Sequence, residues 1–262
     1  MTAGGLRAPF PPAGYRRWRA GPHDAVAWEP AAEPVRAALA ESGSLYDWAA
    51  AHSEREVETG RGRLFAVRLG PLRAAVRHYR RGGWIAPLLD DRYFDDPPRP
   101  FAELAISEGL RQAGVSTPRV LAGVVTRAAP GYRADLATEW LEPGLDLVSL
   151  LAPNHYPDDE RAAALAAAGE TVGRAHRAGL DHPDLNPGNV FVQPFQNGWS
   201  AALLDLDRAR ITVALSAGFE RRNLRRFQRA IEKACRQGRL AWGIVEREAF
   251  QAGYERGYPR AV

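Results

Sequence analysis

The octapeptide His182-Pro183-Asp184-Leu185-Asn186-Pro187-Gly188-Asn189, with the apolar run Val190-Phe191-Val192 behind it, constrains this chain more than any other stretch. An aspartate and, five residues on, an asparagine flank a Pro-Gly pair that lets the backbone turn between them. Asn197-Gly198 then offers a hairpin turn pair, and Ala201 to Leu204 reads as a returning strand that runs into Asp205. Pairing of the two strands would carry Asp205 alongside the exit of the loop. Two carboxylates and one carboxamide then converge.

The rest of the chain can build a scaffold for such a site. Its 262 residues are 45% hydrophobic and 25% charged, an ordinary globular balance that suits one large domain or two packed lobes. No run approaches the ~18 apolar residues of a membrane helix. The first residues carry Pro, Gly and Arg but no apolar core of a signal peptide, so a cytoplasmic location is expected. The one cysteine, Cys235, cannot form an internal disulfide or a thiolate metal cage and reads as a small buried hydrophobe. A net charge of +4 favours anionic partners without choosing among them.

Residues 1–40 read as an irregular N-terminal arm, with a helix expected over 33–52. Leu64 to Leu69 and Arg73 to Tyr79 form a strand-turn-strand signal around Gly70-Pro71. A helix is expected from Pro100 to Gln112, then strands over Val120–Val125 and Tyr132–Trp140. Beyond Pro143 helices dominate, over 158–178 and 219–235. The plan is α+β: an antiparallel-sheet lobe over 41–141 and a mainly helical lobe over 142–262.

The octapeptide resembles the catalytic loop H-x-D-L-x-x-x-N of the bilobal protein-kinase-like fold. That resemblance implies that Asp184 is the catalytic residue engaging the attacking hydroxyl, and that Asn189 and Asp205 hold Mg2+ on the phosphates of ATP. Gly60-Arg61-Gly62 is then a candidate phosphate-covering loop, with Gly60 and Gly62 as nucleotide-binding residues; a plain hairpin turn is the competing reading. Arg77 stands where protein kinases carry lysine. Glu103 is its preferred partner and Glu108 the competitor on the same predicted helix. Glu139 and Leu141, at the lobe boundary, are candidates to pair with adenine through their main chain. His182 reads as a loop-supporting residue, His176 as a cation closing a helix C-terminus, and Asp207 as a surface charge, with a second neighbour of the metal site as the competing reading. Position 183 is proline, where H-R-D kinases have arginine, and no A-P-E follows Asp205. A protein substrate is therefore not expected.

Gly60-Arg61-Gly62, Arg77-His78-Tyr79-Arg80-Arg81-Gly82-Gly83, Asp91-Arg92-Tyr93, Tyr132-Arg133-Ala134-Asp135-Leu136, Asp184-Leu185-Asn186, Leu204-Asp205-Leu206-Asp207-Arg208 and Asn223-Leu224-Arg225-Arg226 together resemble the 3-deoxy-D-manno-octulosonic acid (Kdo) kinases, which are lipopolysaccharide-core kinases. The resemblance implies ATP-dependent phosphorylation of the 4-hydroxyl of Kdo on a lipid A precursor, Kdo-lipid IVA. It implies an enzyme peripheral to the cytoplasmic face of the inner membrane, with the anionic membrane surface as a partner. Arg80 and Arg81 are candidate substrate contacts, against a solvated basic turn. The loop departs from the family pattern, HPDLNPGN in place of HADLNAHN, and Leu206 replaces a phenylalanine; neither change removes a metal ligand. The alternatives are another small-molecule or heptose kinase of the same fold and a nucleotide-binding pseudokinase. No nucleic-acid-reading module is present in the sequence, so no nucleic acid partner is expected.

Overall fold

The computed structural model describes residues 10–59, 62–80, 91–153, 156–212 and 218–259. The chain divides into two units, Met1–Glu108 with Arg119–Trp140, and Gly109–Pro118 with Leu141–Val262.

The first unit is built on seven antiparallel strands: β1 (Tyr15–Ala20), β2 (His23–Trp28), β3 (Arg55–Thr59), β4 (Gly62–Leu69), β5 (Leu72–His78), β6 (Val120–Arg127) and β7 (Tyr132–Glu139). Their order across the sheet is β1-β2-β6-β7-β5-β4-β3. Period-two alternation sorts the side chains onto two faces. Ala25 and Ala27 of β2, Phe65, Val67 and Leu69 of β4, and Ala74 and Val76 of β5 face helices α1 (Glu29–Ser42) and α2 (Leu45–Ala51). Val26, Ala134 and Leu136 share the other face with Phe101 and Leu104 of α3 (Arg99–Gln112). A register shift between Val120 and Ala122 lets β6 serve both cores.

The expected irregular arm over 1–40 is corrected: β1, β2 and most of α1 lie inside it. β1 hides because both of its faces carry polar residues, with Arg17 and Arg19 neutralised by Asp24 of β2 at 2.7 and 3.1 Å. α1 hides behind two prolines; Pro30 sits in the first turn, where its missing N–H is not needed, and only Pro34 lies inside the helix. The single helix expected over 33–52 is two. Gly43 takes a left-handed φ of 68° and ends α1, and the Ser44 side chain accepts from Asp47 N–H to start α2.

The second unit holds α4 (Leu147–Leu150), α5 (Asp158–Arg177), α6 (Phe219–Arg236) and α7 (Ile244–Gly257), with short strands between them. β8 (Leu145–Asp146), β10 (Val190–Phe195) and β11 (Gly198–Leu203) form one small sheet, and β9 (Leu180–Asp181) pairs with β12 (Arg210–Ile211). The hairpin turn is Gln196-Asn197, one residue earlier than expected, because buried Val190 and Val192 must face buried Leu203 and Ala201. α5 and α7 pack backbone to backbone. A Cβ on Gly169 would collide with the Phe250 carbonyl, and one on Gly253 with the Ala166 carbonyl. Glycine normally argues against helix, yet here it permits the close approach of α5 and α7. Cys235 is half-buried rather than buried.

Candidate active site

In the second unit the predicted loop lies between the β9 strand and the β10–β11 hairpin. Asn186 caps a 3-10 turn at Pro187–Asn189: its Oδ1 accepts from Gly188 N–H at 2.9 Å and its Nδ2 donates to the Asp184 carbonyl at 2.9 Å. Asn189 Nδ2 donates to the same carbonyl at 2.9 Å. With that amide occupied, Oδ1 is the atom Asn189 offers to a cation. Leu204 N–H donates to the Asn189 carbonyl at 2.9 Å, so the residue before Asp205 is tied to the end of the loop. Two hydrogen bonds thus link Asp184, Asn189 and the Asp205 segment in series. All three side chains are half-buried. Asp205 takes a φ of 50°, the left-handed region that aspartate tolerates better than most residues and that strained functional turns use.

His182 is buried, and its Nδ1 accepts from the Asp184 N–H at 3.3 Å, which leaves the ring proton on Nε2. Burial lowers its pKa; the Leu204 backbone and the carboxylates of Asp205, Asp184 and Asp181 act in the opposite sense without overcoming it. The ring is therefore a neutral prop for the loop. Asn223 of α6 adds a second prop. With its amide oriented to suit its neighbours, Oδ1 accepts from His182 N–H at 3.1 Å, and Nδ2 donates to the His182 carbonyl at 2.9 Å and to Asp181 Oδ1 at 3.2 Å. The motif Asn223-Leu224-Arg225-Arg226 had drawn notice in the sequence, but nothing local announces a partner 41 residues away.

Two readings need correction. His176 is no helix-closing cation: it is buried against Tyr254, whose hydroxyl lies 2.9 Å from Nδ1, and desolvation pushes its pKa down to about 4. Asp207 is not a surface charge; it is buried, with Arg208 Nε at 4.0 Å.

In the first unit Arg77 pairs with Glu103. Arg77 Nη2 donates to Glu103 Oε1 and Oε2 at 2.8 and 2.7 Å, and the Tyr79 hydroxyl donates to Oε2 at 2.5 Å. The guanidinium also lies over the Tyr79 ring, 4.6 Å from its centroid. Glu108 is engaged elsewhere, accepting from Tyr15 at 2.8 Å and facing Arg119 at 3.8 Å. Gly62 opens β4 with a φ of 137° opposite Thr59, and the Arg80 side chain passes 3.2 Å from where its Cβ would stand. Gly60 and Arg81 lie outside the described residues. Glu139 closes β7, its N–H donating to the Arg119 carbonyl at 2.8 Å, and Leu141 begins the second unit.

Sequence reasoning missed one network in this unit. His78 lies between two carboxylates, with Nδ1 2.6 Å from Asp135 and Nε2 3.0 Å from Asp91. Asp135 also accepts from Tyr46 N–H at 3.1 Å, and Arg133 donates to Asp91 at 2.8 Å. Burial opposes charge on His78, but the hydrogen bonds and charges of Asp135 and Asp91 outweigh it and raise the pKa. Arg133 and His78 hold the Asp91 carboxyl below its usual range against its own burial.

The side chains at Asn189 and Asp205 are chemically suited to the cation that the resemblance implies. Among the described residues no three His, Cys, Asp or Glu side chains form a metal cluster. Yet one carboxylate and one carboxamide oxygen, at Asp205 and Asn189, are hard oxygen donors of the kind that suit Mg2+, which takes its remaining ligands from phosphates and water.

An antiparallel sheet unit, a mainly helical unit and an H-x-D-L-x-x-x-N loop define a kinase of the protein-kinase-like class. The family model described as "Lipopolysaccharide kinase (Kdo/WaaP) family" matches residues 45–254, and the chain belongs to that family. It is 31% identical over 218 residues to a Vibrio vulnificus protein named 3-deoxy-D-manno-octulosonic acid kinase, covering 81% of this chain and 89% of the relative. A Xanthomonas oryzae pv. oryzae protein of the same name is 34% identical over 208 residues, with 76% and 79% covered. A solved structure described as WaaP in complex with acyl carrier protein has a TM-score of 0.54 at 18% identity, covering 81% of this chain and 83% of that one.

Proposed function

We propose that this chain transfers the γ-phosphoryl group of ATP to the 4-hydroxyl of Kdo on a lipid A precursor such as Kdo-lipid IVA. The observation that carries the proposal is the hydrogen-bonded series Asp184, Asn189, Asp205, read beside relatives named for Kdo phosphorylation. Asp184 accepts or orients the proton of the attacking hydroxyl. Asn189 and Asp205 hold Mg2+, which supplies charge neutralisation at the phosphates when bound. Arg77 orients the nucleotide phosphates, and Glu103 with Tyr79 fixes its planar fork. Gly60 and Gly62 let the backbone approach the phosphates. Glu139 and Leu141 offer main-chain groups to adenine, and Arg80 and Arg81 pair with anionic groups of the acceptor. The lipid-linked acceptor places the reaction at the cytoplasmic face of the inner membrane. No helix among the described residues is long and apolar enough to cross a membrane, so peripheral attachment is the matching mode.

The test is to incubate wild-type protein and Asp184→Ala with Mg-ATP and Kdo-lipid IVA and to weigh the lipid by mass spectrometry. The proposal expects one added phosphate from the wild type alone, placed at the 4-position by NMR. Phosphate added to a free sugar but never to the Kdo lipid would move the assignment to another acceptor. Nucleotide binding without any transfer would favour the pseudokinase reading.

A further inference from the structure

We propose that the outward face of α6 is a docking surface for an anionic lipid leaflet. α6 carries seven cationic side chains and two carboxylates, a net charge of +5, while the whole chain is +4. The rest of the chain is thus close to neutral, and the basic character of this protein is the character of one helix.

That charge is also concentrated on one side. At 100° per residue, Arg222, Arg225, Arg226, Arg229, Lys233 and Arg236 fall within one arc of about 100°, and no acidic residue falls among them. All six are exposed. The helix is 18 residues long, so the stripe runs about 27 Å. Elsewhere arginines are mostly neutralised, as at Arg17, Arg77, Arg133, Arg161 and Arg174. On this arc only Arg222 has a carboxylate, that of Asp181 at 3.4 Å; among the described residues the other five form no ion pair.

The opposite side of α6 is fixed, so the stripe cannot turn inward. Phe227 stacks on Phe250 of α7 with centroids 5.0 Å apart, Ile231 and Ala234 are buried, and Asn223 holds the backbone of His182. The chemistry of the arc selects the occupant. It presents no aromatic side chain on which a nucleic acid base could stack and no exposed apolar anchor for a protein hot spot. Long flexible cations in a row, with nothing to insert, match a diffuse sheet of negative headgroups. The proposal rests on the reading above in taking the acceptor to be lipid-linked. It adds the consequence that docking through α6 sets the height of the catalytic loop above the leaflet, because Asn223 joins the two.

The experiment measures flotation with vesicles of phosphatidylglycerol and phosphatidylcholine, with neither nucleotide nor Kdo lipid present. Wild-type protein is expected to float, to be released at high salt, and to ignore vesicles of phosphatidylcholine alone. The variant Arg225→Ala/Arg226→Ala/Arg229→Ala/Lys233→Ala is expected to lose roughly 1000-fold in vesicle affinity. It should keep its thermal unfolding temperature and its turnover on detergent-dispersed acceptor, while KM for vesicle-embedded acceptor rises. Equal flotation of variant and wild type, or flotation that salt does not reverse, would overturn the proposal. So would absence of vesicle binding in a protein whose α6 cations are instead required to bind an acidic protein. Vesicle binding by a wild type inactive on Kdo lipid would leave the docking surface standing and remove only the acceptor assignment.

Discussion

The two units hold their functional charges by opposite means. In the sheet unit, charge holds charge: Arg77 is clasped by Glu103, and His78 by Asp135 and Asp91. In the helical unit, neutral groups position the acidic loop: Asn186 and Asn189 bind the Asp184 carbonyl, His182 accepts its N–H, and Asn223 braces His182. The difference follows from the work proposed for each. A guanidinium that must hold a fixed fork gains from a carboxylate behind it. Carboxylates proposed to meet a divalent cation are here positioned through their backbone, by amides and an uncharged ring.

Replacing the acidic groups should break this contrast most strongly. Asp184→Asn is expected to lower kcat by about 1000-fold or more in a protein that still unfolds cooperatively in urea, because the main-chain and amide contacts of the loop are kept. Across the divide, Glu103→Gln should affect both properties. It removes the charge of the buried carboxylate that Arg77 grips, costs roughly 3 kcal/mol in stability, and raises KM for ATP more than it lowers kcat. An Arg77→Lys variant sharpens the point: lysine keeps the charge but not the fork, so steady-state kinetics should show weakened ATP use with little loss of stability.

A smaller effect is expected at Asn223. Asn223→Ala leaves the buried N–H and carbonyl of His182 without that partner, at a cost of about 2 kcal/mol, and loosens the loop, which a fall in kcat without a change in KM for ATP would register. His78 gives the smallest and most specific signal. Its folded pKa is raised, so its contribution to stability is fully present below the unfolded imidazole pKa and fades as pH rises through the folded value. Unfolding midpoints should therefore decline across neutral to mildly alkaline pH in the wild type. His78→Gln should flatten that decline.

The loop was legible because phosphoryl transfer requires particular side chains at particular spacings, and the α3 helix because its Phe101 and Leu104 recur on one side. The sequence favours Glu103 over Glu108 by its spacing alone; the physical reason lies in the structure, where Tyr15 and Arg119 draw Glu108 away. β1 and α1 were hidden by polar faces and prolines, and α7 went unseen because Gly253 and Gly257 suppress its helical signal while enabling its packing on α5. The His78 network joins residues up to 89 positions apart, and no local pattern encodes such a partner.

One measurement bears most directly on the account: the rate of γ-phosphoryl transfer to the Kdo-lipid acceptor as a function of Mg2+ concentration, for wild type and Asp205→Asn. The account predicts that the wild-type rate rises with Mg2+ to saturation, and that Asp205→Asn remains folded but stays near background at every concentration. A variant that reaches the wild-type rate with the wild-type Mg2+ dependence would contradict it.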